Sequence, residues 1–234
     1  MSFIHHEPCP NCQSRDNLAR YDDGHAFCFG CGYRENIQFS LRTIPDSIVT
    51  TCKPLPDDIT DVLPQKALQW LGKYGIMKDE LNTFLWSSER EYLIFPFFDS
   101  EGRIAAWQGR SFGDTGRKYF TTGAVSDIMI LYGTGNTVIL TEDVLSAIKV
   151  GRVAVGLPLF GSNIPPKLLR RLATRFKNLG TWLDRDKAAE SHHGAVRASQ
   201  MGFDKVRTII TEKDPKEYTT DEISSYLEKY FQKG

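Results

Sequence analysis

Near the start of the chain four cysteines fall into two Cys-x-x-Cys pairs, Cys9/Cys12 and Cys28/Cys31, with fifteen residues between the pairs. Each such turn sets two thiolates on one side of an ion, and two turns joined by a hairpin complete a closed tetrahedral Zn²⁺ site. A thioredoxin-like redox pair would need a single Cys-x-x-Cys on a βαβ frame, and this segment has neither the frame nor the apolar strands. Disulfides are disfavoured as well, because MSFIHHEPCP carries no secretory signal and a reducing cytosol keeps thiols free. An ion enclosed by four thiolates has no open coordination position, so the expected zinc is structural. It supplies folding free energy that a core of about 40 residues cannot. Cys52, in a Pro-rich stretch, is read as a leftover thiol without a role.

The second set of reactive groups is acidic. Glu142 follows the apolar run TVILT, Asp184 ends GTWLD with Asp186 two residues on, and Asp214 comes shortly after KVRTIIT. One acid after a strand is commonplace, because acids favour the N-cap of the next helix. Three, with an Asp-x-Asp among them, are expected to gather at the carboxyl edge of a parallel sheet, where α/β proteins place their functional groups. Converging carboxylates suit Mg²⁺ or Mn²⁺, hard cations that combine a few carboxylates with waters and substrate phosphates.

These groups need elements to position them. Residues 1–40 form the cysteine module, and 41–57, LRTIPDSIVTTCKPLPD, read as a linker with three prolines and no helical period. Residues 58–134 and 135–234 complete the division. In the first, PQKALQWLGKYG (64–75) places Ala67, Leu68 and Leu71 on one helical face, and YLIFPFF (92–98) with RIAAWQGR (103–110) reads as a hairpin. From residue 137 strands and helices alternate: TVILT, DVLSAIKVG, RVAVGL, IPPKLLRRLATRFKN with Ile164, Leu168, Leu172 and Phe176 inward, GTWLD, DKAAESHHGAVRASQMG, KVRTIIT and TDEISSYLEKYF. That alternation implies a parallel sheet covered on both faces. The expected class is α/β: a four-cysteine zinc ribbon, an α+β segment and a parallel α/β domain.

Bulk charge excludes a simple electrostatic coat for nucleic acid, since 29 basic and 29 acidic side chains cancel. Between residues 163 and 210, however, ten Lys/Arg stand against four acids. That stretch fits either a phosphate-bearing partner or a solvated helix face. The cysteine module is slightly acidic, with three Arg against five acids in residues 1–40, so contact with nucleic acid there would favour base edges over phosphates. Asp23 and His25 sit in the turn before the second cysteine pair; a turn-former and a surface imidazole are the plain account of them. His192 and His193 read as a surface helix turn. No apolar run approaches the roughly 20 residues of a membrane span, and the expected location is cytoplasmic.

Several motifs together resemble one family. TED (141–143), LDRDKAA (183–189) and EKDPKEY (212–218) resemble the three acidic motifs of a TOPRIM domain, which bacterial-type primases share with topoisomerases and some nucleases. YLIFPFFDSEGRIAAWQGRSFGDTGRKYFTTG (92–123), followed by ILYG (130–133), is similar to the segment that precedes TOPRIM in replicative primases. DGHAFCFGC is similar to the zinc-binding domain of the primase–helicases of short-tailed bacteriophages. All parts occur in primase order and cover nearly the whole chain.

The resemblance implies a fold, an activity and residue roles. The activity is metal-dependent synthesis of short RNA primers from ribonucleoside triphosphates on a single-stranded DNA template. Cys9, Cys12, Cys28 and Cys31 match the zinc ligands, and Asp23 and His25 match residues that help read the template. Arg110 and Lys118 match basic groups facing nucleotide or template, and Lys187 is a further candidate for phosphate neutralisation. Glu142, Asp184, Asp186 and Asp214 match the acids that bind Mg²⁺ or Mn²⁺. Two positions depart from the pattern: Asp143 stands where Gly is usual, as a substitute ligand or a helix N-cap, and Ser146 stands where an acid is usual. No GxxxxGK[ST] motif occurs in the sequence, so a coupled helicase is expected to be a separate protein. A recombination-mediator-like DNA-binding protein and a TOPRIM nuclease are the rival readings; the leading position of the zinc segment fits both poorly.

Overall fold

The computed structural model describes residues 3–21, 26–35, 54–99, 102–114, 116–123, 125 and 128–231. Two compact units result, residues 1–47 and 48–234. The smaller is an antiparallel meander of β1 (Phe3–Glu7), β2 (Leu18–Tyr21), β3 (Ala26–Cys28) and β4 (Arg34–Glu35) in that order. Its buried cluster is Cys9, Leu18, Ala26 and Cys28, with Tyr33 packed against it. So small an apolar core leaves the cysteines as the main tie.

The larger unit begins with a five-stranded antiparallel sheet of β5 (Ile59–Thr60), β6 (Leu85–Ser87), β7 (Tyr92–Phe98), β8 (Ile104–Ser111) and β9 (Tyr119–Gly123), with α1 (Gln65–Lys73) and the short α2 (Lys78–Leu81) between its first two strands. The expected hairpin is present, with Tyr92 opposite Ser111 and Pro96 opposite Trp107. Proline is tolerated in β7 because β6 pairs only with residues 92 to 94, so Pro96 faces one strand. Helix α1 buries Ala67 and Leu71, whereas Leu68 is 41% exposed. The expected three-residue face is thus two residues wide, since Leu68 lies about 100° round the helix from Ala67.

A four-stranded parallel sheet follows, ordered β11-β10-β12-β13 from β10 (Thr137–Thr141), β11 (Val155–Pro158), β12 (Asn178–Thr181) and β13 (Lys205–Thr208). Between and after these strands run α3 (Val144–Gly151), α4 (Pro166–Ala173), α5 (Ala188–Ser199) and α6 (Thr220–Phe231). Val138 and Leu140 of the central strand pack with Leu169, Leu172 and Ala198, while Ile139 packs with Ile223 and Leu227. Period-two alternation therefore feeds two cores, as expected for a sheet covered on both faces. Helix α4 is shorter than the expected 164–178, and Leu169 rather than Leu168 is its fully buried seat. Past its end the Thr174 hydroxyl donates to the Arg171 carbonyl at 2.8 Å, the local bond by which Thr competes with helix continuation.

Helix α3 joins the two sheets. Val144, Leu145 and Ile148 lie in one apolar cluster with Leu71, Phe84, Leu93, Phe95 and Phe97. Its other side lies against β11 so closely that a Cβ on Gly156 would stand 2.0 Å from the Ala147 carbonyl oxygen. The Lys149 ammonium donates to the Tyr74 carbonyl at 2.9 Å, and Arg152 pairs with Glu80 at 2.6 Å. Rigid attachment of α3 matters because it begins at Asp143, beside Glu142.

Candidate active site and metal centre

The two cysteine turns are built alike. The Gln13 N–H donates to the Cys9 carbonyl at 2.9 Å, and the Gly32 N–H donates to the Cys28 carbonyl at 2.9 Å. Gln13 and Gly32, each four residues after the first cysteine of its pair, both have left-handed backbones, φ 58° and 72°. This places all four Sγ atoms within 4.8 Å of one another, with Cys9–Cys31 at 3.7 Å and Cys12–Cys28 at 3.6 Å. A tetrahedron with Zn–S bonds of 2.3 Å has edges of about 3.8 Å, so the donor set fits zinc, and the separations are far beyond a disulfide bond. The Asn11 side-chain amide donates to Cys31 Sγ at 3.5 Å. Asp23 and His25 lie outside the described residues, as does Cys52.

The acids stand at the carboxyl edge of the parallel sheet. Strand pairing carries on past β10 and β12, with the Trp182 N–H donating to Leu140 and the Ile209 N–H to Thr181, each at 2.9 Å. Asp184 and Asp214 each precede a short 3₁₀ turn, Arg185–Lys187 and Pro215–Glu217, with nearly the same backbone, ψ 151° and 150°. The loop bearing Asp214 is pinned by aromatic packing: Trp182, Tyr218 and Tyr226 have ring centroids 5.2 to 6.0 Å apart. Trp182 Nε1 also donates to the Thr211 hydroxyl at 2.8 Å.

The carboxylates perturb one another. Burial, then the charges of Asp186 and Asp143, push Glu142 above its ordinary value. Burial, followed by Asp214 and Glu142, pushes Asp184 up to about 7. Glu142 Oε2 and Asp184 Oδ1 are buried without a hydrogen-bond partner. Orphaned anionic oxygens of that kind fit a hard divalent cation. The remaining acids are engaged elsewhere: Asp186 is 74% exposed at the side chain and pairs with Lys187 at 3.2 Å. Among the described residues the four cysteines alone form a group tight enough to close on one ion; the carboxylates are neighbours but stand wider apart.

Lys216, which sequence reasoning missed, lies among these acids. Its ammonium pairs with Asp214 Oδ2 at 2.8 Å and Asp143 Oδ2 at 3.0 Å. Burial works to neutralise it, but Asp143 and Asp214 prevail and hold it charged. Of the two alternatives for Asp143, the helix N-cap is observed: it accepts from the Ser146 N–H at 3.1 Å and the Ser146 hydroxyl at 2.9 Å. The Asp-Pro-Lys spacing was the available signal, since a proline directly after Asp214 starts a tight turn that returns position 216 toward the sheet.

Arg110, on β8, sits opposite Tyr119 on the edge strand β9 of the antiparallel sheet. Its guanidinium lies 4.4 Å from the ring centroid of Trp70, 4.9 Å from Phe112 and 5.4 Å from Tyr119, and its Nε is buried without a partner. This cage lies near the acids: the Tyr74 ring centroid stands 5.4 Å from that of Trp70 and 6.0 Å from the Lys216 ammonium, and burial drives the Tyr119 hydroxyl up to about 12, with Arg110 and Lys216 opposing and Asp143 reinforcing. Trp70 is a further residue that the motifs did not mark, and Tyr119, though within the segment 92–123, carried no assigned role. Lys118 is exposed just before β9, and His192 and His193 are exposed on α5.

A zinc-fitted ribbon, an antiparallel sheet and a parallel sheet edged with acids make up the fold of the zinc-binding and RNA polymerase domains of DNA primases. Among solved structures, the primase fragment of the bacteriophage T7 primase-helicase aligns over 98% of this chain and 100% of that one, with TM-score 0.52 and 18% identity. The Aquifex aeolicus primase, comprising zinc-binding and RNA polymerase domains, aligns over 98% of this chain and 80% of that one, with TM-score 0.50 and 12% identity. In sequence the chain is similar to the DNA helicase/primase of Enterobacteria phage T3, 27% identical over 164 residues, which cover 63% of this chain and 28% of that protein. The match thus spans less than a third of the relative's length. No family model matches the chain.

Proposed function

We propose that the chain is a DNA primase, a nucleotidyltransferase that makes short RNA primers from ribonucleoside triphosphates on single-stranded DNA during replication. The observation that carries this reading is the pair of buried, partnerless oxygens on Glu142 and Asp184, at the sheet edge near Arg110 and Tyr119. Glu142 and Asp184 would hold Mg²⁺ or Mn²⁺, with Asp186 and Asp214 beside them. A divalent ion there supplies charge neutralisation at the α-phosphate and a lowered pKa for the attacking 3′-hydroxyl.

The chain's own residues do the positioning that phosphoryl transfer chiefly requires. Arg110, held by its aromatic cage, would pair with phosphate or template, and Lys118 and Lys187 add charge. The ribbon, tethered through 41–57, raises the effective concentration of a template reader centred on Asp23 and His25. Residues 58–134 and 135–234 act as the two halves of the catalytic core. A replicative helicase is the proposed partner, and the cytoplasm the proposed location.

The test is incubation of the full chain with single-stranded template, ribonucleotides and Mg²⁺ or Mn²⁺. Short RNA is expected, and it should vanish in Asp184→Ala while zinc content stays unchanged. Template cleavage would select the nuclease reading, and binding without synthesis the mediator reading.

A further inference from the structure

The acids at the sheet edge are not equally available. Both oxygens of Asp143 are engaged, Oδ1 by the Ser146 N–H and Oδ2 by the Ser146 hydroxyl and Lys216. Asp214 shares the same ammonium at 2.8 Å, and Asp186 is turned out to solvent against Lys187. Only Glu142 and Asp184 keep a buried oxygen with no partner. Lys216 is itself well covered, with 19% of its side chain exposed, and its ammonium lies 6.0 Å from the ring centroid of Tyr74.

We propose that Lys216 is a built-in counter-cation that occupies one of two cation positions at this edge, so that the protein by itself binds a single divalent ion, on Glu142 and Asp184. The proposal rests on the metal-site reading given above. An ammonium is a compact point charge with three donors, suited to two carboxylates on different loops. Unlike a divalent ion, it offers no coordination position to a water or a phosphate oxygen. Lys216 is therefore a positioning residue: it fixes Asp143 and Asp214 and keeps both out of the ligand set. Asp143 gains a partner across the fold, which ties the start of α3 to the turn after β13.

Mn²⁺ titration of the zinc-loaded full chain, read by the electron spin resonance of free Mn²⁺, tests the proposal without reference to catalysis. The unaltered protein is expected to bind one Mn²⁺. Lys216→Met should bind two, because it frees a pair of facing carboxylates, whereas Lys216→Arg should stay at one. Lys213→Met, an exposed neighbour with the same change of charge, should also stay at one. Two ions on the unaltered protein, or one on Lys216→Met, overturns the role of Lys216 and leaves the site standing. Undiminished binding by a Glu142→Gln/Asp184→Asn variant, or no binding by the unaltered protein, overturns the site itself. Should Lys216→Met fail to fold, Lys216→Gln takes its place with the same expected count of two, and one ion on it overturns the role of Lys216.

Discussion

Replacing Asp184 by asparagine should stabilise the protein when divalent ions other than zinc are absent. Burial, then Asp214 and Glu142, raise the folded-state carboxyl to about 7, whereas in an unfolded chain it titrates near 3.9. Below about pH 4 both states hold the proton and folding carries no penalty. Between roughly pH 4 and 7 the unfolded chain alone has ionised, so the folded state loses ground as pH rises. Above about 7 the loss is constant. A shift of about three units corresponds to about 4 kcal/mol, and because Asp184 is only half-buried, solvent screening reduces this to about 1–2 kcal/mol.

The asparagine side chain has nearly the same shape and never ionises. Urea unfolding followed by tryptophan fluorescence reports on the relevant unit, because Trp70, Trp86, Trp107 and Trp182 are all four tryptophans and all lie in residues 48–234. The expected gain is about 1–2 kcal/mol at pH 8, falling to a fraction of that at pH 5. Adding about 10 mM Mg²⁺ should restore the native protein by about 1.4 kcal/mol if its Kd is near 1 mM, and leave Asp184→Asn unmoved. A variant that is less stable at every pH, or that Mg²⁺ stabilises as much as the native chain, would refute the account.

Three further outcomes are expected. A strong chelator should release zinc and unfold the ribbon, seen as partial loss of antiparallel β signal in circular dichroism, while tryptophan fluorescence from the larger unit holds steady. Trp70→Leu removes the ring nearest the Arg110 guanidinium, a contact worth about 0.5–2 kcal/mol; affinity for labelled single-stranded DNA, read by anisotropy, should fall about 2- to 30-fold with the fold intact. Gly156→Ala drives a methyl into the Ala147 carbonyl, 2.0 Å away, and should lower stability by about 1–3 kcal/mol in the same urea assay.

Much of this was legible in the residues. The cysteine spacing carried its geometry because a thiolate quartet around zinc has few solutions. The alternation after residue 137 carried the parallel sheet because the apolar runs are short and the helices have clear faces. Elements whose faces depend on a neighbour were read less well. Leu68 and Leu169 are each a single position off the expected face, and which leucine a helix buries depends on how it rolls on its sheet. The pairing of Lys216 with Asp143 and the cage around Arg110 could not be read for a related reason. Asp143 and Lys216 are 73 residues apart, and Trp70 and Arg110 are 40 apart. No periodicity joins residues that meet only when sheets and loops close on each other. Asp143 was ambiguous for the opposite reason: capping a helix and binding a metal both call for a short carboxylate after a strand.

Charge at the sheet edge gives these assignments a common logic. Glu142, Asp143, Asp184, Asp186 and Asp214 are five carboxylates, and Lys187 and Lys216 are two ammonium groups, so three net negative charges remain when all are ionised. Burial raises Asp184 and Glu142 first, and that excess adds to it. One divalent ion, on the proposed reading, would lower the excess to a single negative charge and favour the ionised form of both carboxyls. A second ion on the protein alone would make the edge positive and would have to displace Lys216 from two carboxylates. On the proposed reading, with one cation resident and one built into the chain, the edge would meet a polyanionic triphosphate at close to neutrality, and any further divalent ion would have its ligands on the triphosphate rather than on Asp143 or Asp214. Removing Lys216 shifts that balance by one charge, which is why the count of bound ions, more than the rate of any reaction, is where its role becomes visible.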